Sequence, residues 1–256
     1  MLKRLGILGG MGPLASAEFL QTFYRLNTAE PEQDSPVCVL LSDPTFPDRT
    51  EAILRGERPA AATGSHGEAA PNPAAQALGE RLSRALDELS QMGAERIVIA
   101  CVTIHHFLPA VPAALCRKVV SLIDLIVDAV LAAPRPYLLL ATNGTRAARI
   151  LERHQRWSSI ARWIEYPGEG DQRELHEHIY RLKGHAPPGE LAAWLDALAV
   201  RSGMTGGSGF IFGCTELHLL HRGLAERSGG PDGPGGPVVI DPLLIAARDF
   251  RQLLNC

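Results

Sequence analysis

The sequence has few cysteines, few aromatic residues and no long uncharged apolar run, and each scarcity excludes a class of protein. Its five cysteines form no Cys-x-x-Cys pair, so we expect neither a disulfide framework nor a cysteine-rich zinc site. Aromatic residues make up 5 % and the formal net charge is −3, which argues against nucleic acid or an anionic membrane surface as partner. The best candidate for a membrane span, residues 119–133, is interrupted by Asp124 and Asp128.

The N-terminus resembles a secretory signal only in outline. Lys3 and Arg4 precede an apolar stretch that ends in the small residues 15–17. The glycine- and proline-rich turn at 9–13 lies inside this stretch and would break a signal helix. We therefore expect a cytoplasmic protein that binds no membrane.

Short apolar runs alternate with segments of helical periodicity along the chain. The apolar runs are residues 5–8, 37–41, 97–100, 137–140, 210–212 and 238–240. Continuous apolar runs are typical of parallel strands that are buried on both faces. The helical segments are residues 14–26, 75–92, 122–131, 147–154, 174–182, 191–200 and 243–254. This alternation predicts an α/β fold with mainly parallel sheets.

Two segments interrupt the alternation. Residues 56–73 are rich in Ala, Gly and Pro, and residues 228–237 have the low-complexity sequence SGGPDGPGGP. Both are predicted to be surface insertions. The first could instead be a lid, because it follows a polar cluster that carries Arg49.

An internal repeat places two cysteines at matching positions. The segment Ile97–Thr103 resembles Phe210–Glu216, since each is an apolar strand followed by a small residue, a cysteine and a polar helix start. Ligands of open α/β sheets bind beyond the carboxyl ends of the strands, where Cys101 and Cys214 lie. A single free cysteine would be read as a small core residue. Two at equivalent points predict a pair of half-domains that present two thiols to one cleft.

A matched pair of thiols suits stereoinversion at a carbon acid. One thiolate removes the proton from one face, and the other thiol returns a proton to the opposite face. Threonine hydroxyls and the amides of the glycine turn at 10–12 could stabilise the charge that develops on the substrate. The threonines at the strand ends are Thr103, Thr142, Thr145 and Thr215.

The glycine turn also fits a dinucleotide fingerprint. Residues 10–15, GMGPLA, match G-x-G-x-x-A after a strand. That motif requires an acidic residue about 20 residues further on. The second apolar run does not reach its acidic residue until Asp43, so dinucleotide binding is disfavoured.

Seven blocks of sequence resemble the aspartate/glutamate racemase family, in its aspartate racemase branch. They are GILGGMGPLASAEF from Gly6, PDRTEAIL from Pro47, ACVTIHH from Ala100, LLATNGT from Leu139, DQRELHEHIY from Asp171, GCTEL from Gly213 and VVIDP from Val238. The blocks follow the family order and cover nearly the whole chain. Glutamate racemases are less similar, because they have an acidic residue in the first turn and His after the second Cys-Thr.

The resemblance implies a cofactor-independent racemase of two pseudo-symmetric α/β domains, usually dimeric, with the active site between them and no metal. Cys101 and Cys214 would be the acid/base residues, and Arg49 would clamp a side-chain carboxylate. Lys183 is the nearest match to a family lysine that reaches the same carboxylate, although it lies one residue early. The remaining candidate substrate-binding residues are Met11, Val102, Thr103, Thr142, Asn143, Thr145, Thr215 and Glu216. Residues 1–118 plus 222–256 would form the first domain and residues 119–221 the second.

Three positions depart from the family pattern. Val102 replaces the usual Asn after the first cysteine, Ile104 is larger than the usual Ala, and Asn143 replaces a usual Thr. The pocket is therefore expected to be more apolar, which leaves the exact substrate open. His105 matches a family histidine and is expected to support the local turn.

We expect a racemase acting on an amino acid, with aspartate or glutamate the leading substrate. Three other functions stay open at this point. The same fold could support a cis–trans isomerase or decarboxylase of a small diacid, although decarboxylases typically keep only one of the two cysteines. Cys101 with a histidine could form a hydrolase that does not need Cys214. A non-catalytic small-molecule binder would retain the cleft without turnover.

Overall fold

The computed structural model describes residues 4–57, 73–204, 207–221 and 238–253. The strands are β1 (Arg4–Gly9), β2 (Val37–Ser42), β3 (Arg96–Ile99), β4 (Val119–Val120), β5 (Tyr137–Leu140), β6 (Ile164–Glu165), β7 (Gly209–Phe212) and β8 (Val238–Ile240). The α-helices are α1 (Pro13–Asn27), α2 (Arg49–Glu57), α3 (Pro73–Gln91), α4 (Ala113–Cys116), α5 (Leu122–Ala132), α6 (Asn143–Ala147), α7 (Trp157–Ile160), α8 (Glu169–Lys183), α9 (Pro188–Arg201), α10 (Pro242–Arg248) and α11 (Phe250–Leu253). Short 3₁₀ helices span Glu32–Asp34, Thr103–Ala110, Ala161–Trp163 and Thr215–Leu220.

The strands form two four-stranded sheets with the same internal order. The first has the order β2-β1-β3-β4 and the second β6-β5-β7-β8, and every pairing is parallel. The strand β3 therefore has the same place in the first sheet as β7 has in the second. Helices surround both sheets, which confirms the predicted two-domain α/β fold.

The inner strands are buried on both faces, as their continuous apolar sequences predict. All four residues of β5 and all four of β7 are buried. Their side chains alternate between two clusters. Leu139 and Ile211 join the large core that also contains the first sheet. Leu138 and Phe210 pack instead with the apolar side of α8 and α9. The edge strand β2 is only half-buried.

Two strands, β8 and β4, do not belong to the sheets to which the predicted domain boundaries assign them. The C-terminal strand was expected to complete the first domain, but β8 pairs with β7 in the second sheet. Residues 119–120 were expected in the second domain, but they form β4 and pair with β3. Each pairing gives an inner strand, β7 or β3, hydrogen-bonded neighbours on both edges. The helix α10 does pack against α1, so the helical part of the C-terminal extension contacts the first half.

The helix predicted over residues 147–154 is wrong. The Thr142 side chain accepts a hydrogen bond from the amide of Thr145 and so begins α6 several residues earlier. The short helix then ends, and Arg149 adopts a positive φ of 50° in the turns that follow. The apolar residues of this stretch face the core without helical geometry.

The two predicted insertions lie largely outside the described residues. Only the ends of the first are described, where α2 reaches Glu57 and α3 begins at Pro73. The possible lid at residues 56–73 therefore lies largely outside the described residues. Among the described helices, none is long and apolar enough to cross a membrane.

Candidate active site

The two thiols follow equivalent strands at equivalent distances. Cys101 lies two residues after the end of β3, and Cys214 two residues after the end of β7. Both are buried, with exposed fractions of 5 % and 4 %. Each segment then turns into a short helix, which is of the 3₁₀ type. The matching placement supports the interpretation of the sequence repeat as a structural repeat.

A direct hydrogen bond joins the two thiol-bearing segments. The Thr215 hydroxyl donates to the carbonyl oxygen of Ala100 at 3.0 Å. Thr215 follows Cys214, and Ala100 precedes Cys101. The carboxyl ends of β3 and β7 therefore meet at the boundary between the two halves of the molecule.

Three of the predicted threonines form a hydroxyl cluster across the same boundary. The Oγ1 atom of Thr103 lies 2.8 Å from that of Thr145 and 3.4 Å from that of Thr142. The Thr142 and Thr145 hydroxyls are 3.2 Å apart. Because hydroxyl groups can rotate and can both donate and accept, this buried cluster can satisfy itself or bind an anionic group.

Arg49 is a buried cation whose guanidinium is held by backbone carbonyls. It donates to Met11 O at 2.8 Å and to Pro47 O at 2.9 Å. Its Nε is buried and has no hydrogen-bond partner among the described residues. Burial opposes the charged form, but the negative charges of Cys101, Asp48 and Glu216 outweigh it and raise the pKa of Arg49. The group therefore stays cationic beside the first thiol, with one donor unused.

Cys214 is hydrogen-bonded to Glu216. Its Sγ donates to Glu216 Oε2 at 2.8 Å, and both side chains are buried. Burial, followed by the negative charge of Glu216, raises the pKa of the Cys214 thiol well above its ordinary value. A thiol at a helix start would instead be expected to have a lowered pKa, because the helix dipole and free amides favour the thiolate. Direct contact with a buried carboxylate outweighs any effect of a short 3₁₀ helix.

Lys183 reaches the same carboxylate from α8. Its Nζ lies 3.8 Å from Glu216 Oε1 and 4.5 Å from the centre of the Tyr180 ring. Burial lowers the pKa of Lys183, but the charges of Glu216 and of the two cysteines reverse this effect, so the pKa is raised overall. The displacement of Lys183 by one residue from the family spacing therefore does not remove it from the site.

The glycine turn packs tightly against the protein itself. Gly10 has a φ of +89° and lies against the backbone of Asp43, where a Cβ would come within 2.3 Å. A Cβ on Gly12 would lie 2.3 Å from Glu216 Oε1. The Gly10 amide donates to Ser16 Oγ at 3.1 Å. The diphosphate of a dinucleotide would need the space that Asp43 and Glu216 occupy and the Gly10 amide that donates to Ser16. The structure therefore further disfavours dinucleotide binding.

Asn143 and Val102 are placed differently from the threonines. The Asn143 Oδ1 accepts from Gln172 Nε2 at 3.0 Å, so its amide is engaged with α8. Val102 is 2 % exposed and contributes to the core. His105 supports the turn as expected: its Nε2 accepts from the Leu122 amide, so Nδ1 carries the proton donated to Cys101 O at 3.0 Å.

Two further residues close the site from the side of α2 and α8, and the candidate set omits them. The Tyr180 hydroxyl donates to Asp48 Oδ2 at 2.7 Å, which links the two halves of the molecule. Burial raises the pKa of Tyr180 to about 12. A cavity of about 920 Å³ opens beside this contact and is also lined by Thr50 and His176. Asp48 and Tyr180 lie in two of the sequence blocks that carry the family resemblance. The resemblance was therefore the signal from which these two residues could have been identified.

The described part of the chain contains no group of three or more His, Cys, Asp or Glu side chains that could hold a metal ion. The polar groups of the site are instead two thiols, a hydroxyl cluster, two cations and a carboxylate.

This arrangement defines an α/β protein with two equivalent parallel sheets and a buried cluster of thiols, hydroxyls and charged side chains where they meet. The sequence profile of the Asp/Glu/hydantoin racemase family matches residues 8–250. The chain therefore belongs to that family, which supports racemase activity in general.

Solved structures of similar proteins have the same fold. The aspartate racemase of Picrophilus torridus superposes with a TM-score of 0.68 at 22 % identity, covering 99 % of this chain and 100 % of its own. An aspartate racemase homologue from Pyrococcus horikoshii gives 0.61 at 20 % identity, with 100 % of both chains covered. A glutamate racemase from Campylobacter jejuni gives 0.55 at 16 % identity, covering 97 % of this chain and 85 % of its own.

Proposed function

We propose that the protein is a cofactor-independent amino-acid racemase in which Cys101 and Cys214 exchange protons with opposite faces of the substrate Cα. The observation that carries this proposal is the equivalent placement of the two buried thiols after β3 and β7. The hydrogen bond from Thr215 to Ala100 supports it, because it brings the two segments together. Family membership provides independent support.

The proton transfer has two steps. One cysteine, as thiolate, accepts the Cα proton, and the electron pair of the broken C–H bond delocalises into the α-carboxylate. The other cysteine, as thiol, donates its proton to the opposite face of Cα. The transfer leaves the first cysteine protonated and the second ionised, so the reverse reaction uses them in exchanged roles.

Substrate binding is assigned to the donors around the thiols. Thr103, Thr145 and Thr215, together with the turn at Met11, would hold the α-carboxylate and the amine. Arg49 has an unused buried Nε donor, and Lys183 is a second cation in reach. Two cations near one site favour a substrate with a second carboxylate. The other residues assigned to substrate binding are Thr142, Asn143, Val102 and Glu216.

We propose aspartate or glutamate as the leading substrate. The apolar Val102 follows Cys101 directly in the chain, and we expect an apolar residue at this position to limit turnover of aspartate. Replacing it tests this directly: Val102→Asn should raise kcat/KM for aspartate severalfold. Unchanged or lower turnover would mean that this position does not determine the substrate.

The activity is tested by following optical rotation with L- and D-amino acids, including aspartate and glutamate. We expect inversion of at least one acidic amino acid by the wild-type protein without added cofactor. Cys101→Ala and Cys214→Ala should each lose at least about a thousandfold in inversion rate, because each removes one of two obligatory acid/base groups. Robust inversion by Cys214→Ala would refute the two-thiol scheme. Isomerisation of an unsaturated diacid instead would identify the alternative reaction.

Two further properties belong to the same proposal. The mechanism needs both thiols reduced, and the cytoplasm maintains thiols in that state. The family resemblance also implies a homodimer. Light scattering after size-exclusion chromatography would detect it as twice the chain mass of 27.6 kDa.

A further inference from the structure

The loop of residues 43–48 joins β2 to α2 and delivers Arg49 to the candidate site. Arg49 is the first residue of α2. Its guanidinium is held partly by the loop itself, since it donates to Pro47 O at 2.9 Å and to Phe46 O at 3.5 Å. The third acceptor is Met11 O of the glycine turn, at 2.8 Å. The conformation of the loop therefore helps to determine where this buried cation lies.

Arg81, on α3, holds the same loop through several groups at once. Its guanidinium forms an ion pair with Asp43 Oδ2, and Nη1 donates to Thr45 O at 2.7 Å. It also donates to the Thr45 hydroxyl and lies over the Phe46 ring, 4.7 Å from the ring centre. One planar fork of donors thus holds a carboxylate, a carbonyl and an aromatic ring. The ammonium of a lysine has no such fork.

Asp43 fixes the start of the loop. Its Oδ1 accepts from the Thr45 hydroxyl at 2.7 Å and from the Thr45 amide at 2.9 Å. The hydrogen bond from the Thr45 hydroxyl, helped by Arg81, outweighs burial and holds the pKa of Asp43 below its ordinary value. The backbone of Asp43 lies against Gly10 of the glycine turn. The two segments whose carbonyls hold Arg49 therefore meet at Asp43.

The ion pair between Arg81 and Asp43 is not a freely exposed surface pair. The two side chains have exposed fractions of 29 % and 28 %, and the Phe46 ring below the guanidinium is buried. Fully exposed pairs contribute little, because water and salt screen them and the side chains stay mobile. A half-buried fork that binds the backbone of a loop restricts the conformation of that loop.

We propose that Arg81 is a positioning residue, which holds the loop of residues 43–48 so that Arg49 lies beside Cys101 and reaches the side-chain carboxylate of the substrate. This inference rests on the proposed racemase function, in which Arg49 binds that carboxylate. Among the described residues, the hydrogen bonds and the ion pair of Arg81 are all made with the loop. Its influence on the reaction therefore passes through Arg49.

The experiment is a double-mutant cycle on kcat/KM for aspartate and glutamate. Arg81→Met keeps an apolar stem over Phe46 but removes the fork and its charge. We expect a loss of about tenfold, since a shift of about 1 Å in a group that positions the substrate can cost up to a hundredfold. In the Arg49→Leu protein, the same substitution should cost less than about twofold, because no guanidinium is left to position. The matched control is Arg84→Met on the same helix, whose exposed side chain should be dispensable in both backgrounds.

Losses that multiply in the double variant would overturn the inference and leave the racemase assignment intact, because Arg81 would then act independently of Arg49. Absence of any loss in Arg81→Met would overturn it as well. Arg81→Lys keeps the charge without the fork and should lose nearly as much as Arg81→Met. Thermal unfolding of each variant identifies any that fails to fold, and the Lys variant then replaces the Met variant.

A second measurement separates failure of this inference from failure of the proposed function. The rate at which iodoacetamide alkylates Cys101 at neutral pH is followed by mass spectrometry of the peptide that contains it. The thiolate is the reactive form, and a neighbouring cation favours it. Arg49→Leu and Arg81→Met should therefore each slow alkylation severalfold, and the double variant should be no slower than Arg49→Leu.

The alkylation rates decide the inference even without racemase activity. If no amino acid is inverted by the wild-type protein but this pattern of rates occurs, the positioning of Arg49 by Arg81 stands and the racemase assignment fails. An alkylation rate that Arg81→Met leaves unchanged refutes the inference.

Discussion

The segments that follow β3 and β7 have similar backbones but differ in the charge of the side chains that lie next to their cysteines. Each carries a buried cysteine two residues after its strand and a buried histidine four residues after the cysteine. Around Cys101, the neighbouring charged side chain is Arg49, and His105 donates to a backbone carbonyl. Cys214 donates to the charged side chain Glu216, beside which the cation Lys183 lies, and His218 is paired with Asp241.

This difference shows that the repeat of the fold does not extend to charge. Burial lowers the pKa of His105, in keeping with its neutral role as a donor to the Cys101 carbonyl. On the other side, Asp241 and Glu216 add two buried carboxylates. Burial and the anion beside Cys214 favour the protonated thiol there. In the proposed two-base scheme, this thiol is the one ready to donate a proton.

Among changes to the side chains around the two thiols, the largest effect is expected from removing the cation on the Cys101 side. Arg49→Leu deletes the buried charge beside the thiol and frees the carbonyls of Met11 and Pro47. We expect kcat/KM to fall by about 10²–10³-fold, the range seen when a donor that stabilises developing charge is lost. The matched control is Arg55→Leu on the same helix, whose exposed ion pair with Glu51 contributes little. Equal losses in steady-state racemisation for both variants would contradict the account.

The contact between the glycine turn and Glu216 can be disturbed with one methyl group. In Gly12→Ala, the new Cβ would lie 2.3 Å from Glu216 Oε1, and the φ of 168° at this position allows any residue. The carboxylate must therefore move away. We expect a loss of roughly tenfold to a hundredfold in kcat, since displacements of about 1 Å of a group that positions the substrate cost this much. Gly189→Ala, which meets open space, is the control and should retain wild-type rates.

The smallest expected effect is a change in the free energy of unfolding when the charge of Asp241 is removed on the Cys214 side. Burial raises the pKa of the Asp241 carboxyl, but His218 and the backbone amides of α10 outweigh it and hold the pKa below its usual range. A carboxyl group whose pKa is lower in the folded than in the unfolded protein stabilises the fold at pH values above its unfolded pKa of about 3.9. This contribution is lost as the pH falls through the pKa of the folded state. Asp241→Asn keeps a residue that can cap the helix but removes the charge.

We therefore expect Asp241→Asn to be less stable by about 2 kcal/mol above pH 5, as is typical when a hydrogen bond to a charged group is lost. The difference should narrow below about pH 4. Chemical denaturation at several pH values measures it. A difference that is constant across this range would show that the charge of the pair does not contribute.

The sequence predicts the inner strands and the positions of the two cysteines after them, because both are local signals. The inner strands carry continuous apolar runs, and the cysteines follow them at fixed spacing. The strand β8 was assigned to the wrong sheet. The sequence of a short apolar strand does not specify which strand it pairs with, and hydrophobic periodicity does not indicate the partner either. The contact between Cys214 and Glu216 was also not predicted. A carboxylate after a Cys-Thr pair can point to solvent or to the thiol, and only packing against Gly12 and Lys183 decides.

The most direct test of the paired thiols is the origin of the proton in the product. When L- or D-substrate is converted in D₂O and sampled early, two bases on opposite faces predict deuterium at Cα in nearly every product molecule, while the remaining substrate keeps its protium. Product that retains the original protium would show that a single base removed and returned it. That result would contradict the account.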